Sequence, residues 1–273
     1  MIKKYRFLIA RRITQTSIMV LYVIANVYGI NILMGNLSTS IFLKTIPLSD
    51  PYAVLQMFFA GAFISFDILI GALIITLFYL IVGGRAFCSW VCPVNMITDL
   101  SNYLRRRFGF NQIQKKQPAS RNMRYWVIVI SFVISFFMGV AAFELISPIS
   151  MVHRGIIFGM GFGWAAILVI FLFDLFVLKN GWCGHICPLG GFYSLIGRFS
   201  LIRVHHNAPN CTACMKCKEV CPENQVLYMV TKTSIPVSSG ECINCGRCIE
   251  VCDDNALNFS IINLKKEIQN EVR

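Results

Sequence analysis

Four long apolar runs fill the first two thirds of the chain, approximately Ile13 to Met34, Phe63 to Val82, Tyr125 to Leu145 and Ile156 to Leu178. Each is close to the roughly 20 residues that a helix needs to cross a hydrocarbon core, so the pattern predicts four transmembrane helices. After the second run and again after the fourth the pattern turns amphipathic, over Val94 to Arg107 and Leu189 to Phe199, as expected of helices lying along the interface. From Asn207 onward the apolar runs stop and a compact polar segment begins. The expected organisation is a membrane part, 1–206, a polar module, 207–260, and a tail, 261–273.

Composition agrees, with 56% of residues hydrophobic and 14% charged, a balance suited to a bilayer. The net charge of +12 would suit nucleic acid, but the basic residues stand beside apolar runs instead of among aromatics on a polar domain. Lys3, Lys4, Arg6, Arg11 and Arg12 precede the first run. Arg85, Arg105, Arg106, Arg107, Lys115, Lys116, Arg121 and Arg124 separate the second from the third, and the other connections hold only Lys44 and Arg154. The positive-inside bias predicts cytoplasmic termini and places the loop from about Gly35 to Ala60 on the other side. Asp67, Glu144 and Asp174 interrupt or edge the apolar region and are candidates for proton or quinol handling; all three fall near span ends, where a carboxylate costs little.

Twelve cysteines without a cleavable signal peptide favour metal ligation over disulfides. Cys211, Cys214, Cys217 and Cys221 form C-x2-C-x2-C-x3-C followed by Pro222, and Cys242, Cys245, Cys248 and Cys252 repeat the spacing. This is the bacterial two-cluster ferredoxin pattern, in which the fourth cysteine of each run serves the other cluster. On that rule Cys211, Cys214, Cys217 and Cys252 hold one 4Fe-4S cluster, and Cys242, Cys245, Cys248 and Cys221 the other. Zinc is the competing metal, but zinc sites usually pair two C-x2-C elements. The second run ends in Cys252-Asp253 where the first has Cys221-Pro222, a difference in chain exit and not in ligands. The fold class expected is therefore a four-helix transmembrane bundle with a C-terminal α+β two-cluster ferredoxin-like module.

The remaining cysteines form a second repeat. Cys88 and Cys92 lie in F-C-S-W-V-C-P, Cys183 and Cys187 in W-C-G-H-I-C-P, and both cysteines and the prolines Pro93 and Pro188 are offset by 95 residues. Proline disfavours helical geometry at the preceding cysteine and suits the first turn of a new helix, which would lower the pKa of that thiol. These four are candidates for redox-active thiols or for ligands of a further centre, or else are reduced structural cysteines at a tight turn. His185 is a candidate metal or proton partner, His153, next to Arg154 on the outer loop, is a candidate proton acceptor, and His205 and His206 read as a linker feature.

These motifs resemble the NapH family of membrane ferredoxin-type subunits that serve periplasmic nitrate reductase. The resemblance covers nearly the whole length and includes F-C-S-W-V-C-P at Phe87 to Pro93, N-x-I-T-D-L at Asn95 to Leu100, L-R-R-R-F at Leu104 to Phe108, G-W-C-G-H-I-C-P at Gly181 to Pro188, and P-L-S-D-P in the outer loop. It implies a bacterial inner-membrane protein that passes electrons from membrane quinol to the nitrate reductase outside, with the periplasmic ferredoxin NapG and a NapC-type multihaem protein as partners. Charge bias places the clusters inside and the resemblance places the acceptor outside, so either electrons recross the membrane or the path bypasses the C-terminal module. The alternative is a membrane polyferredoxin for metalloenzyme assembly or redox maintenance, without quinol turnover.

Overall fold

The computed structural model describes residues 5–29, 32–109, 121–159, 161 and 163–261. The tail from 262 onward, together with Lys3, Lys4, Lys115 and Lys116, lies outside the described residues. Two units are formed, one from Met1–Arg11, Phe78–Ser89 and Tyr193–Arg273, the other from Arg12–Leu77 and Trp90–Phe192.

Helix α1 (Arg6–Tyr28) starts and stops earlier than the first apolar run. Gly29, at φ 70, follows it, and Leu33–Gly35 (β1), Thr39–Phe42 (β2) and Ile46–Ser49 (β3) then form an antiparallel meander. Helix α2 (Pro51–Phe59) explains the P-L-S-D-P motif. Asp50 caps it by accepting the Tyr52 amide at 3.3 Å, and Pro51 occupies the first turn, where no amide is needed. Tyr52 anchors this unit: its hydroxyl meets Ser131 Oγ at 2.5 Å, and its ring packs on Phe132, Phe143 and Phe192.

Helices α3 (Phe66–Val82), α4 (Ala86–Trp90) and α5 (Val94–Arg107) follow. The third apolar run was expected to continue to Leu145, but α6 (Met123–Met138) ends at Gly139 in the left-handed conformation, and α7 (Ala142–Ile146) and α8 (Pro148–Phe158) continue separately. The fourth run also splits: Gly159, at φ 96, ends α8, and α9 (Gly163–Leu172) passes into a π-helical turn at Phe173–Val177. Among the described residues only α1 is long and apolar enough to cross a membrane, and α3 and α6 have 17 and 16 residues. The four-span bundle is thus not reproduced by helix length. Helices α3 and α6 nevertheless turn Leu69, Leu73, Leu77, Val133, Phe136 and Phe137 outward, more apolar surface than water favours.

The other unit holds the polar module. Strands β4 (Ile202–His206) and β5 (Leu257–Ile261) pair antiparallel, Ile202 opposite Ile261 and His206 opposite Leu257, so the sheet begins upstream of Asn207. Two short helices, Lys216–Val220 and Arg247–Glu250, accompany the sheet, over a core of Val204, Val226, Leu227, Met229, Val230, Val237 and Leu257. The first turn of α1 belongs here. Glu250 accepts the amides of Phe7 (2.5 Å) and Leu8 (3.0 Å), capping the helix from a distant part of the chain, and Phe7 packs edge-on against Phe259. Three backbones meet without side chains between them. A Cβ on Gly84 would stand 2.0 Å from Tyr193 O, and one on Gly240 2.1 Å from Ser194 O.

Candidate functional site

The two four-cysteine runs fold alike. Ala213 and Met215 in the first, Asn244 and Gly246 in the second, all have positive φ, and each pair occupies the same positions relative to its first cysteine. Alternating left-handed residues turn successive backbone N–H groups to one side, a concavity suited to negative sulfur. A short helix then carries the third cysteine away, Cys217 within Lys216–Val220 and Cys248 within Arg247–Glu250.

Two small cavities lie between these halves. Cys242, Cys245, Cys248 and Cys221 line the first, with Glu223 and the apolar Val204, Val226, Leu227 and Ile243. Cys211, Cys214, Cys217 and Cys252 line the second, with His206, Met215, Val230, Val251, Asp254 and Leu257. The fourth cysteine of each run therefore faces the cavity of the other run. Among the described residues no three Cys, His, Asp or Glu side chains are spaced for a single metal ion. No disulfide joins any two of the twelve cysteines.

The donor set fits an iron–sulfur cluster. Burial pushes the Cys242 thiol up to about 11 and Cys248 well above the ordinary range, and Cys217 rises for the same reason. Thiolates in such apolar cavities need a positively charged guest to offset desolvation. A buried ion pair stands beside the first cavity: Arg85 Nη1 lies 2.7 Å from Glu223 Oε1 and donates to Glu241 O at 2.9 Å. Arg203, also buried, donates to Ser200 O, Val237 O, Ser238 O and Arg198 O. His206 is no linker residue. It is fully buried in β4, with Nδ1 2.7 Å from Thr233 O. Glu223, His206 and Asp254 carry no sequence motif, and only their places on the cavity walls single them out.

The C-x3-C-P copies each lead into a helix at the proline: Pro93 is the N-cap of α5, and Pro188 opens α10 (Pro188–Gly197). Cys187 is extended, as a residue before proline should be, and both Cys92 and Cys187 are buried; Cys88 and Cys183 are half-buried. Gln15 donates to Cys92 O at 3.1 Å. Cys183 and His185 lie in a second π-helical turn, Trp182–Ile186, and Asp174 holds that turn by accepting the Trp182 amide at 3.0 Å. Arg105 of α5 donates to the carbonyls of Asp174 and Leu175 in the first π turn, at 3.1 and 3.2 Å. Asp174 thus positions the second cysteine pair. Glu144 ties Ser38 (2.6 Å) to Ser150 (3.0 Å), Asp67 sits in the first turn of α3, and His153 stacks edge-on against Tyr22.

Two family models match the chain. A 4Fe-4S binding domain matches twice, at 64–111 and 157–205, each copy enclosing one C-x3-C-P, and a 4Fe-4S dicluster domain matches 203–253. The chain is 42% identical to the ferredoxin-type protein NapH of Escherichia coli, over 82% of this chain and 78% of that protein. It is 44% identical to NapH of Haemophilus influenzae over 81% and 77% of the two chains. To the methylamine utilization ferredoxin-type protein MauN of Methylorubrum extorquens it is 39% identical, over 85% and 80%. No solved structure matches.

Proposed function

The chain belongs to the ferredoxin-type iron–sulfur family that includes NapH and MauN, and from that premise we propose a membrane electron relay that draws on quinol. Its C-terminal module holds two 4Fe-4S clusters, one on Cys211, Cys214, Cys217 and Cys252, the other on Cys242, Cys245, Cys248 and Cys221. The observation that carries this reading is the pair of cavities, each lined by three cysteines of one run and the fourth of the other.

Each cluster, when bound, accepts and returns one electron. The protein's part is to exclude water with Val204, Val226 and Leu227 on one side and Val230 and Leu257 on the other, and to turn backbone amides inward through the left-handed loop residues. Membrane embedding is supported by the length of α1 and the outward apolar faces of α3 and α6. Glu250 caps the first turn of α1, which puts the start of that helix and the cluster-bearing module in one unit. The charge bias makes the cytoplasm the side on which they lie.

In this reading electrons pass from membrane quinol, through a NapG-type ferredoxin or a NapC-type protein, toward a periplasmic nitrate reductase. The similarity to MauN favours a second reading, in which the same relay serves or maintains the redox state of a different metalloenzyme system. The C-x3-C-P cysteines are proposed as redox-active thiols or ligands of a further centre. Anaerobic addition of a reduced menaquinol analogue to the purified holoprotein, alone and with a NapG-type ferredoxin, should produce EPR signals of reduced clusters. Intact clusters that stay oxidised in both mixtures would remove quinol as donor and leave the maintenance reading.

A further inference from the structure

Helix α5 is inside out for a helix in water. Val94, Asn95, Thr98, Ser101, Asn102 and Arg105 are buried, all but the first of them polar, and their spacing of i, i+1, i+4, i+7, i+8 and i+11 makes them one face. The same spacing moved along by two residues, a little over half a turn, gives the opposite face: Met96, Ile97, Leu100, Tyr103, Leu104 and Arg107. Leu100 and Tyr103 are 53% and 59% exposed, and Met96, Ile97 and Leu104 are half-buried.

The buried polar face is engaged within its unit. Thr98 donates to Asn95 O at 3.2 Å, Asn102 to Thr98 O at 2.7 Å and to the Asn180 side chain, Ser101 to Phe171 O at 3.3 Å, and Arg105 to the carbonyls of Asp174 and Leu175. Hydrogen bonding to the end of the fourth apolar run therefore fixes which way α5 faces, and leaves its apolar stripe outward. In water that stripe would forgo the gain of burial, as would Leu73 of α3 and Phe137 of α6 in the same unit.

The stripe also has a sign. It carries no acid, and Asp99, on its flank, is ion-paired with Arg12. At its end Arg107 is exposed and Arg106 half-buried, and among the described residues neither forms an ion pair. Apolar side chains, a tyrosine and two terminal cations match the acyl boundary, the headgroup level and the phosphates of a bilayer surface. We propose that the outward face of α5 is a lipid-binding surface lying in the membrane interface, with Arg106 and Arg107 on anionic phospholipid. This rests on the membrane reading above.

The test uses the intact holoprotein with Tyr103→p-benzoylphenylalanine, an aromatic exchange at an exposed position. Native membranes are washed with carbonate and irradiated, and the adduct is identified by mass spectrometry. A phospholipid adduct is expected; an adduct to another protein, or none outside the chain, would overturn the proposal. In nanodiscs of equal parts phosphatidylcholine and phosphatidylglycerol, the adducts should favour phosphatidylglycerol about fivefold. Adding Arg106→Gln/Arg107→Gln should remove that preference while keeping a lipid adduct and the iron content. Adducts without preference before the arginines are changed, or a preference that survives the change, would also overturn the proposal. Release of the chain by carbonate would defeat the membrane reading itself, and is seen before irradiation; no step involves quinol, so the quinol proposal stands or falls on its own test.

Discussion

At the scale of single residues the buried charges matter most. Arg85 and Glu223 are 1% and 3% exposed, and removing one takes a close counter-charge from the other in a dry site. Arg85→Met should destabilise the holoprotein by about 3–5 kcal/mol, whereas Arg85→Met combined with Glu223→Leu should lose much less, because no uncompensated charge remains. Denaturant titration followed by cluster absorbance, run as a double-mutant cycle, measures the difference; equal losses in single and double variants would contradict it. The eight cysteines that line the two cavities were legible as a set because their spacing is local in sequence. Arg85, Glu223, Arg203 and His206 were not, because Arg85 lies more than a hundred residues before the module and an isolated arginine, glutamate or histidine has no periodicity to betray its neighbours.

Among the elements, the helix ends were the least legible feature. A hydropathy run averages over many residues, so it passes through Gly139 and Gly159, where one positive φ suffices to stop a helix. The amphipathic helix at Val94–Arg107 matched its predicted span because the proline and the charge pattern mark both ends. Capping by Glu250 is long-range and left no trace in the pattern. Glu250→Ala should fray the start of α1 at a cost of about 1 kcal/mol, seen as faster hydrogen exchange at Phe7 and Leu8 with the middle of the helix unaffected. The glycine contacts predict a larger effect. Gly84→Ala and Gly240→Ala each drive a Cβ into a backbone carbonyl near 2 Å, and both should sharply reduce the yield of folded, iron-loaded protein. Gly61→Ala meets nothing within 4 Å and should cost only the strain of its φ of 71°, leaving iron content unchanged.

For the whole molecule, the chain's interleaving is the principal finding. The ferredoxin-bearing unit is formed from Met1–Arg11 and Phe78–Ser89 besides the segment Tyr193–Arg273. The recurrence of C-x3-C-P at a fixed offset made the internal repeat readable, and the same 4Fe-4S binding domain matches both copies. The central claim is crossed ligation of two clusters, and paired cysteine variants test it most directly through iron bound per chain. Cys221→Ala/Cys245→Ala should empty a single site and keep about half of the iron, while Cys221→Ala/Cys214→Ala should empty both sites and keep almost none. The reverse pattern, half retained by the Cys221/Cys214 variant and none by the Cys221/Cys245 variant, would contradict it.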